Sequence, residues 1–132
     1  MAEMVARFKP GQNVPAFCTA LVRAGRFVAV SGPKTTNGDY SVAEAGAGVR
    51  AFGVAERDSG PTTDPATSWT RRVNVVRPSA VARVTAGAAI TAGAEVESDA
   101  QGRAITRTTG VSLGQAMNTV TAAGQVVEVA LF

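Results

Sequence analysis

The chain has 132 residues, 45% of them hydrophobic and 17% charged, a length at which a single domain buries roughly two thirds of its unfolded surface. Thirteen basic and ten acidic residues leave a net charge of +3 with no tract of either sign, which argues against general disorder and against a massed electrostatic surface for nucleic acid. Histidine is absent and Cys18 is the single cysteine, which excludes an intramolecular disulfide, histidine acid–base chemistry, Ser–His and Cys–His nucleophile pairs and a zinc site built on thiolates or imidazoles.

No apolar run approaches a membrane span or a secretory core segment, and a lone cysteine suits a reducing cytoplasm. Residues 1–15 carry two proline-containing turns, Lys9-Pro10-Gly11 and Val14-Pro15. Proline removes a ladder donor and restricts the residue before it, so this stretch reads as an extended N-terminal arm ahead of a β-domain over 16–132. Residues 26–30 have the β-branched and aromatic content of a buried strand. Asn37-Gly38 is a hairpin signal because both residues tolerate positive φ, and a strand over 39–43 should follow it. The next strand is expected over 49–56. Residues 58–68, with two prolines and no hydrophobic anchor, read as a long surface loop of the kind that often binds. A strand over 69–76, a turn at Arg77-Pro78-Ser79 and a returning strand over 80–84 predict a hairpin.

Thr85-Ala86-Gly87 and Thr91-Ala92-Gly93 read as tight turns flanking Ile90, which should plug the core. Short strands are expected over 95–98 and 103–106, then a final pair over 111–117 and 125–131. Leu113, Ala116, Met117 and Val120 also follow helical spacing, with Ser112 as an N-cap; Gly114 and the β-branched Val120 and Thr121 favour strand then loop. The expected core is Val28, Val30, Val54, Val73, Val75, Ile90, Val96, Ile105, Leu113, Val127 and Val129.

The pattern is written twice. The first copy runs from Val22-Arg23-Ala24-Gly25 through Asn37-Gly38 and Gly48–Ala55 to Val73-Asn74-Val75. The second runs from Val84-Thr85-Ala86-Gly87 through Gln101-Gly102 and Gly110–Ala116 to Val127-Glu128-Val129. An all-β barrel- or sandwich-like domain of two similar halves follows.

Nothing in the chain assembles a catalytic group. Glu95, Glu97 and Asp99 alternate along one strand and read as a solvated face opposite Val96. Ser31-Gly32-Pro33-Lys34 has the spacing of a serine acyl-enzyme motif, but a Gly-Pro turn cannot bring lysine back beside serine. Cys18 reads as a small buried hydrophobe. Arg71-Arg72 and Arg77 are the nearest thing to a basic cluster, but neighbouring strand residues face opposite ways.

Four stretches together resemble the small capsid-decoration, or head-cement, proteins of tailed bacteriophages. They are Phe8-Lys9-Pro10-Gly11; the block from Gly25-Arg26-Phe27-Val28 to Gly53-Val54-Ala55; Ala86-Gly87-Ala88-Ala89-Ile90 through Gln101-Gly102-Arg103-Ala104; and Ala123-Gly124-Gln125-Val126-Val127-Glu128-Val129. The resemblance implies a barrel-like structural protein without enzymatic activity, cofactor or metal. Such a protein sits as a homotrimer on the outside of an HK97-type shell, bound to the major capsid protein, and passes through the host cytoplasm during assembly. It implies no membrane and no direct nucleic-acid partner. Many weak contacts on a lattice would give avidity, and self-association would cover open strand edges. Capsid contacts are then expected from Phe8, Lys9 and Pro10 in the arm and from Asp58, Pro61, Asp64 and Pro65 in the loop. The alternatives are another virion component at the head–tail joint or tail tube, a carbohydrate-binding β-module using Trp69 and Tyr40, and a nucleic-acid binder with stacking aromatics.

Overall fold

The computed structural model describes residues 13–60 and 72–132, and the described residues form ten strands and no helix. The first half holds β1 (Val14–Cys18), β2 (Phe27–Gly32), β3 (Tyr40–Glu44), β4 (Gly53–Ala55) and β5 (Arg72–Val76). The second holds β6 (Val81–Thr85), β7 (Glu95–Ser98), β8 (Ala104–Thr106), β9 (Gly114–Ala116) and β10 (Val126–Leu131).

The first half is a closed barrel in the order β1-β3-β2-β4-β5, with β5 returning antiparallel to β1. The second is a sheet in the order β6-β10-β9-β7-β8, and a single parallel bridge from Ala86 to Ala104 joins its ends. Renumbered from its own first strand, the second ring has the order of the first. The registers agree residue by residue. Cys18 pairs parallel with Val42 as Ala86 does with Ala104. Val28 faces Gly53 as Val96 faces Gly114, Ala16 faces Val73 as Val84 faces Val127, and Ala55 faces Val75 as Ala116 faces Val129. Outside the ladders, Gly25 N donates to Ala55 O as Gly93 N donates to Ala116 O. The fold is a duplicated all-β unit.

The cores repeat with the ladders. Ala16, Cys18, Val22, Val28, Val42, Ala55, Val73 and Val75 fill the first ring. The residues at the same eight positions of the second, Val84, Ala86, Ile90, Val96, Ala104, Ala116, Val127 and Val129, are all buried in the second cluster. These strands are short and alternate, so each ring closes on a column of small and β-branched side chains.

The halves differ where they meet. Phe27 and Val54 point out of the first ring yet are buried in the second cluster, at 0% and 2% exposure. Their counterparts, Glu95 and Gln115, are exposed. The outer wall of one ring is thus apolar and covered, and that of the other is polar and wet. Full burial of a side chain the size of Phe27 contributes about 1.5–3 kcal/mol.

Backbone hydrogen bonds lock this seam. β6 and β8 lack the pairing that β1 and β3 make at the equivalent level, and residues 25–27 fill the gap. Gly25 O accepts from Thr85 N at 2.8 Å, and Phe27 N donates to Gly102 O at 2.7 Å. Gly48 N donates to Ser98 O and Val111 N to Gly48 O.

Several expectations are corrected. β1 begins at Val14 inside the stretch read as an arm; its proline is exposed while Val14, Ala16 and Cys18 alternate inward. Residues 72–84 are not a hairpin. The turn forms, with Ser79 at φ 77°, but β5 pairs with β1 and β4 whereas β6 pairs with β10, so the turn is the crossover between rings. The strand expected from residue 49 starts at Gly53, and Val49 is exposed. Val30 is 64% exposed because β2 shifts register at Val30/Gly32 and leaves the core there. Ile105 is only half-buried. The second copy opens at Ile90-Thr91-Ala92-Gly93, the counterpart of Val22–Gly25, rather than at Val84. Among the described residues the first ring has no open strand edge, and the ends of the second sheet meet at the Ala86–Ala104 bridge.

Candidate functional site

A cleft of about 720 Å³ runs along the seam between the rings. The first ring contributes Phe27 and Val30 of β2, Val49, Arg50 and Phe52 of the loop before β4, and Arg77 after β5; the second contributes Val111, Leu113, Leu131 and Phe132. Three of the lining side chains are large, apolar and exposed: Val30 at 64%, Val49 at 40% and Phe132 at 61%. Their gathering in one concave place is what distinguishes them from the scattered apolar residues of any protein surface.

The charged side chains of this cleft are both cationic. The Arg77 guanidinium lies 4.3 Å from the Phe52 ring centroid and donates to Phe52 O. Phe52 in turn meets the Tyr40 ring at 6.0 Å, and the Lys34 ammonium lies 5.5 Å over Tyr40. Two rings tilted at 54° to each other are thereby capped by a cation at each end, which fixes Arg77. Arg50 is exposed and makes no ion pair among the described residues.

A second cleft of about 870 Å³ follows the seam along β6 and β10 and includes Val81, Arg83, Val126 and Glu128. Its charges are mixed, with Arg83 and Glu128 opposite each other across the β6–β10 ladder.

A charged cluster flanks the seam, with Arg23 and Arg26 of the first ring within electrostatic reach of Asp99 of the second. Glu44 accepts from the Arg23 backbone N–H and, bidentately, from its guanidinium at 2.9 and 2.8 Å. Asp99 accepts from the backbone N–H groups of Gln101 and Arg103 and from Arg103 Nε. Burial raises each carboxyl, but these hydrogen bonds outweigh it and hold both below the ordinary carboxylate value. Arg26, whose pKa burial lowers, donates across the seam to Gln101 O at 2.9 Å.

Of the residues singled out in the sequence, those within the described part make contacts inside the chain. Asp58 is exposed and accepts from Ala24 N at 2.7 Å, just as Thr119 in the second ring accepts from Ala92 N at 3.0 Å. It tethers the base of its loop to the Ala24-Gly25 turn. Phe8, Lys9, Pro10, Pro61, Asp64 and Pro65 lie outside the described residues, as do Trp69 and Arg71. The carboxylates of 95–99 do not form a solvated face: Glu95 accepts from Ser112 Oγ, whereas Glu97 is buried and accepts from Gly110 N at 2.5 Å and from Thr108 Oγ1 at 3.2 Å. Ser31 Oγ is 2.7 Å from Thr19 Oγ1, while Lys34 sits over Tyr40. Cys18 is fully buried in the first ring. Among the described residues no three Cys, Asp or Glu side chains gather to hold a metal ion. The arrangement can bind, and no nucleophile–base pair is formed in it.

Sequence reasoning missed Val30, Val49, Arg50 and Phe132. The available signal was the Ser-Gly-Pro break directly after Val30, which ends the apolar run where the strand leaves the core.

Comparison with known proteins bears on what is bound. A family model described as phage cement protein matches residues 8–131. The fold is similar to that of a solved structure entitled "The crystal structure of head fiber gp8.5 N base in bacteriophage phi29". The TM-score is 0.70 and the identity 22%, over 92% of this chain and 93% of that one. No curated protein matches the chain.

Proposed function

Because the chain belongs to the phage cement protein family, we propose that it decorates the outer surface of an HK97-type capsid as a homotrimer, bound to the major capsid protein, and stabilises the shell. The observation that carries this reading is the family match over nearly the whole chain. The structure is consistent with it in kind. Two rings are joined by backbone hydrogen bonds, and the seam between them offers a cleft with an apolar surface.

The arm, through Phe8, Lys9 and Pro10, and the loop, through Asp58, Pro61, Asp64 and Pro65, are proposed as contact elements. Support for the loop comes from Asp58, whose bond to Ala24 N fixes the point from which it departs. Support for weak contacts at many sites is the avidity that a lattice supplies.

The test is co-sedimentation of the purified protein with capsids assembled from the major capsid protein, read as copies bound per capsid subunit. Saturation at a fixed ratio is expected, and deleting residues 1–10 should lower occupancy without changing the melting temperature. No binding to either expanded or unexpanded shells would remove the decoration reading. Light scattering before and after binding tests the trimer, and a larger closed ring would instead favour a head–tail or tail-tube role.

A further inference from the structure

We propose that the seam cleft lined by Val30, Val49, Arg50, Arg77 and Phe132 is the seat for a capsid-subunit segment that carries an apolar side chain beside a carboxylate. This rests on the decoration reading above and names the chemistry of its partner.

Three observations carry it. First, the apolar surface is both exposed and concave: Val30, Val49 and Phe132 stand open to solvent at 64%, 40% and 61% around a space of about 720 Å³. Such a volume falls within the roughly 300–1,000 Å³ of binding clefts, and clustered exposed hydrophobics of this kind mark interaction sites. Second, the charged side chains of the lining, Arg50 and Arg77, are of one sign. Arg77 is held over Phe52 and presents a fixed guanidinium, whereas Arg50 is exposed and without an ion-pair partner among the described residues. A carboxylate entering here meets planar donors suited to it and no carboxylate side chain in the lining. Third, the walls are already fixed. Gly48 N to Ser98 O and Val111 N to Gly48 O tie the two sides of the cleft together, and Phe132 N to Leu113 O holds the second wall, so little ordering is left to be done on binding.

The second cleft fails the same comparison. Its lining mixes Arg83 with Glu56 and Glu128, and Arg83 lies opposite Glu128 across the β6–β10 ladder, so an entering carboxylate would meet anions there.

The experiment uses the full chain on intact capsids. Cys18 is the single cysteine and is fully buried, so Val49→Cys provides one accessible thiol for a photoactivatable crosslinker. The adduct is expected on the major capsid protein. Arg50→Glu and Val30→Asp, both at exposed positions, should keep the melting temperature and lower capsid affinity by about tenfold or more, equivalent to about 1.4 kcal/mol per tenfold. Val126→Asp in the second cleft should leave affinity unchanged. If the wild-type protein saturates capsids while both cleft variants bind equally well, the cleft proposal falls and decoration stands. A crosslink confined to the same chain or to another copy would also overturn it, since the occupant would then be the protein itself. If the wild-type protein binds no capsid, the decoration reading fails and takes this proposal with it.

Discussion

Gly48 and Gly110 stand back to back across the seam: a Cβ on Gly110 would lie 2.5 Å from the Gly48 Cα, and one on Gly48 would lie 3.2 Å from the Gly110 Cα. The rings approach as closely as two backbones allow. Gly110→Ala is expected to cost about 1–3 kcal/mol by overpacking, read from denaturant unfolding. Gly32→Ala, where a Cβ meets nothing within 4 Å, should cost nothing measurable. Equal stability of the two variants would mean that the seam is looser than its geometry.

The duplicated registers predict matched sensitivity inside the rings and unmatched sensitivity between them. A Cβ on Gly53 would lie 2.6 Å from Val75 Cγ1, and one on Gly114 would lie 2.6 Å from Val129 Cγ1. Alanine at either position should therefore destabilise to a similar degree. At the covered wall the equivalence breaks: Phe27→Ala should cost about 3–5 kcal/mol, while Glu95→Ala at the corresponding exposed position should stay within about 0.5 kcal/mol. Thermal unfolding of the four variants checks both statements.

Much of this architecture was legible in the chain, for physical reasons that also explain the failures. Val73-Asn74-Val75 and Val127-Glu128-Val129 alternate cleanly because each strand has one face in a ring core, and Asn37-Gly38 and Gln101-Gly102 both place glycine at positive φ, 86° and 74°. The phase of the second copy was misread because Val84-Thr85-Ala86-Gly87 resembles Val22-Arg23-Ala24-Gly25 in letters. Equivalence is set instead by hydrogen bonding, and Gly93, at φ 91°, is the residue that bonds as Gly25 does at 71°. β1 was hidden by Pro15, although the inward alternation of Val14, Ala16 and Cys18 was present. Beyond the Ser-Gly-Pro break after Val30 the cleft was not legible, because residues 30, 49, 77 and 132 are brought together only by the packing of two rings.

Glu97 should matter more than its neighbours. It is buried, and its carboxylate holds Gly110 N and Thr108 Oγ1. Glu97→Ala should cost about 1–3 kcal/mol, the penalty for stranding a buried polar group, and the Gly110 amide should lose protection from hydrogen exchange. Full retention of that protection would show that the loop is held by other contacts.

Acid should weaken the fold through Glu44 and Asp99. Both carboxyls are held below their ordinary values, with burial opposing and the hydrogen bonds from Arg23 and from Arg103 and Gln101 prevailing. A folded pKa below the unfolded one gives stability that is complete above the unfolded value, about 4 for a carboxyl, and is lost as the pH falls through the folded value. The denaturant midpoint should therefore be flat between pH 8 and 5 and decline below about pH 4. Asp99→Asn should lower the plateau and make the decline shallower.

The segment 25–27 that fills the gap between β6 and β8 makes the two halves unequal in what each can complete alone. All ladders of the first ring lie within residues 14–76, so its backbone can close once β5 has left the ribosome. The second ring cannot finish alone, because Thr85 N and Gly102 O find their partners in Gly25 and Phe27. The ladders of the N-terminal half are complete within it, whereas the C-terminal half borrows two of its backbone partners from the part of the chain that synthesis delivers first.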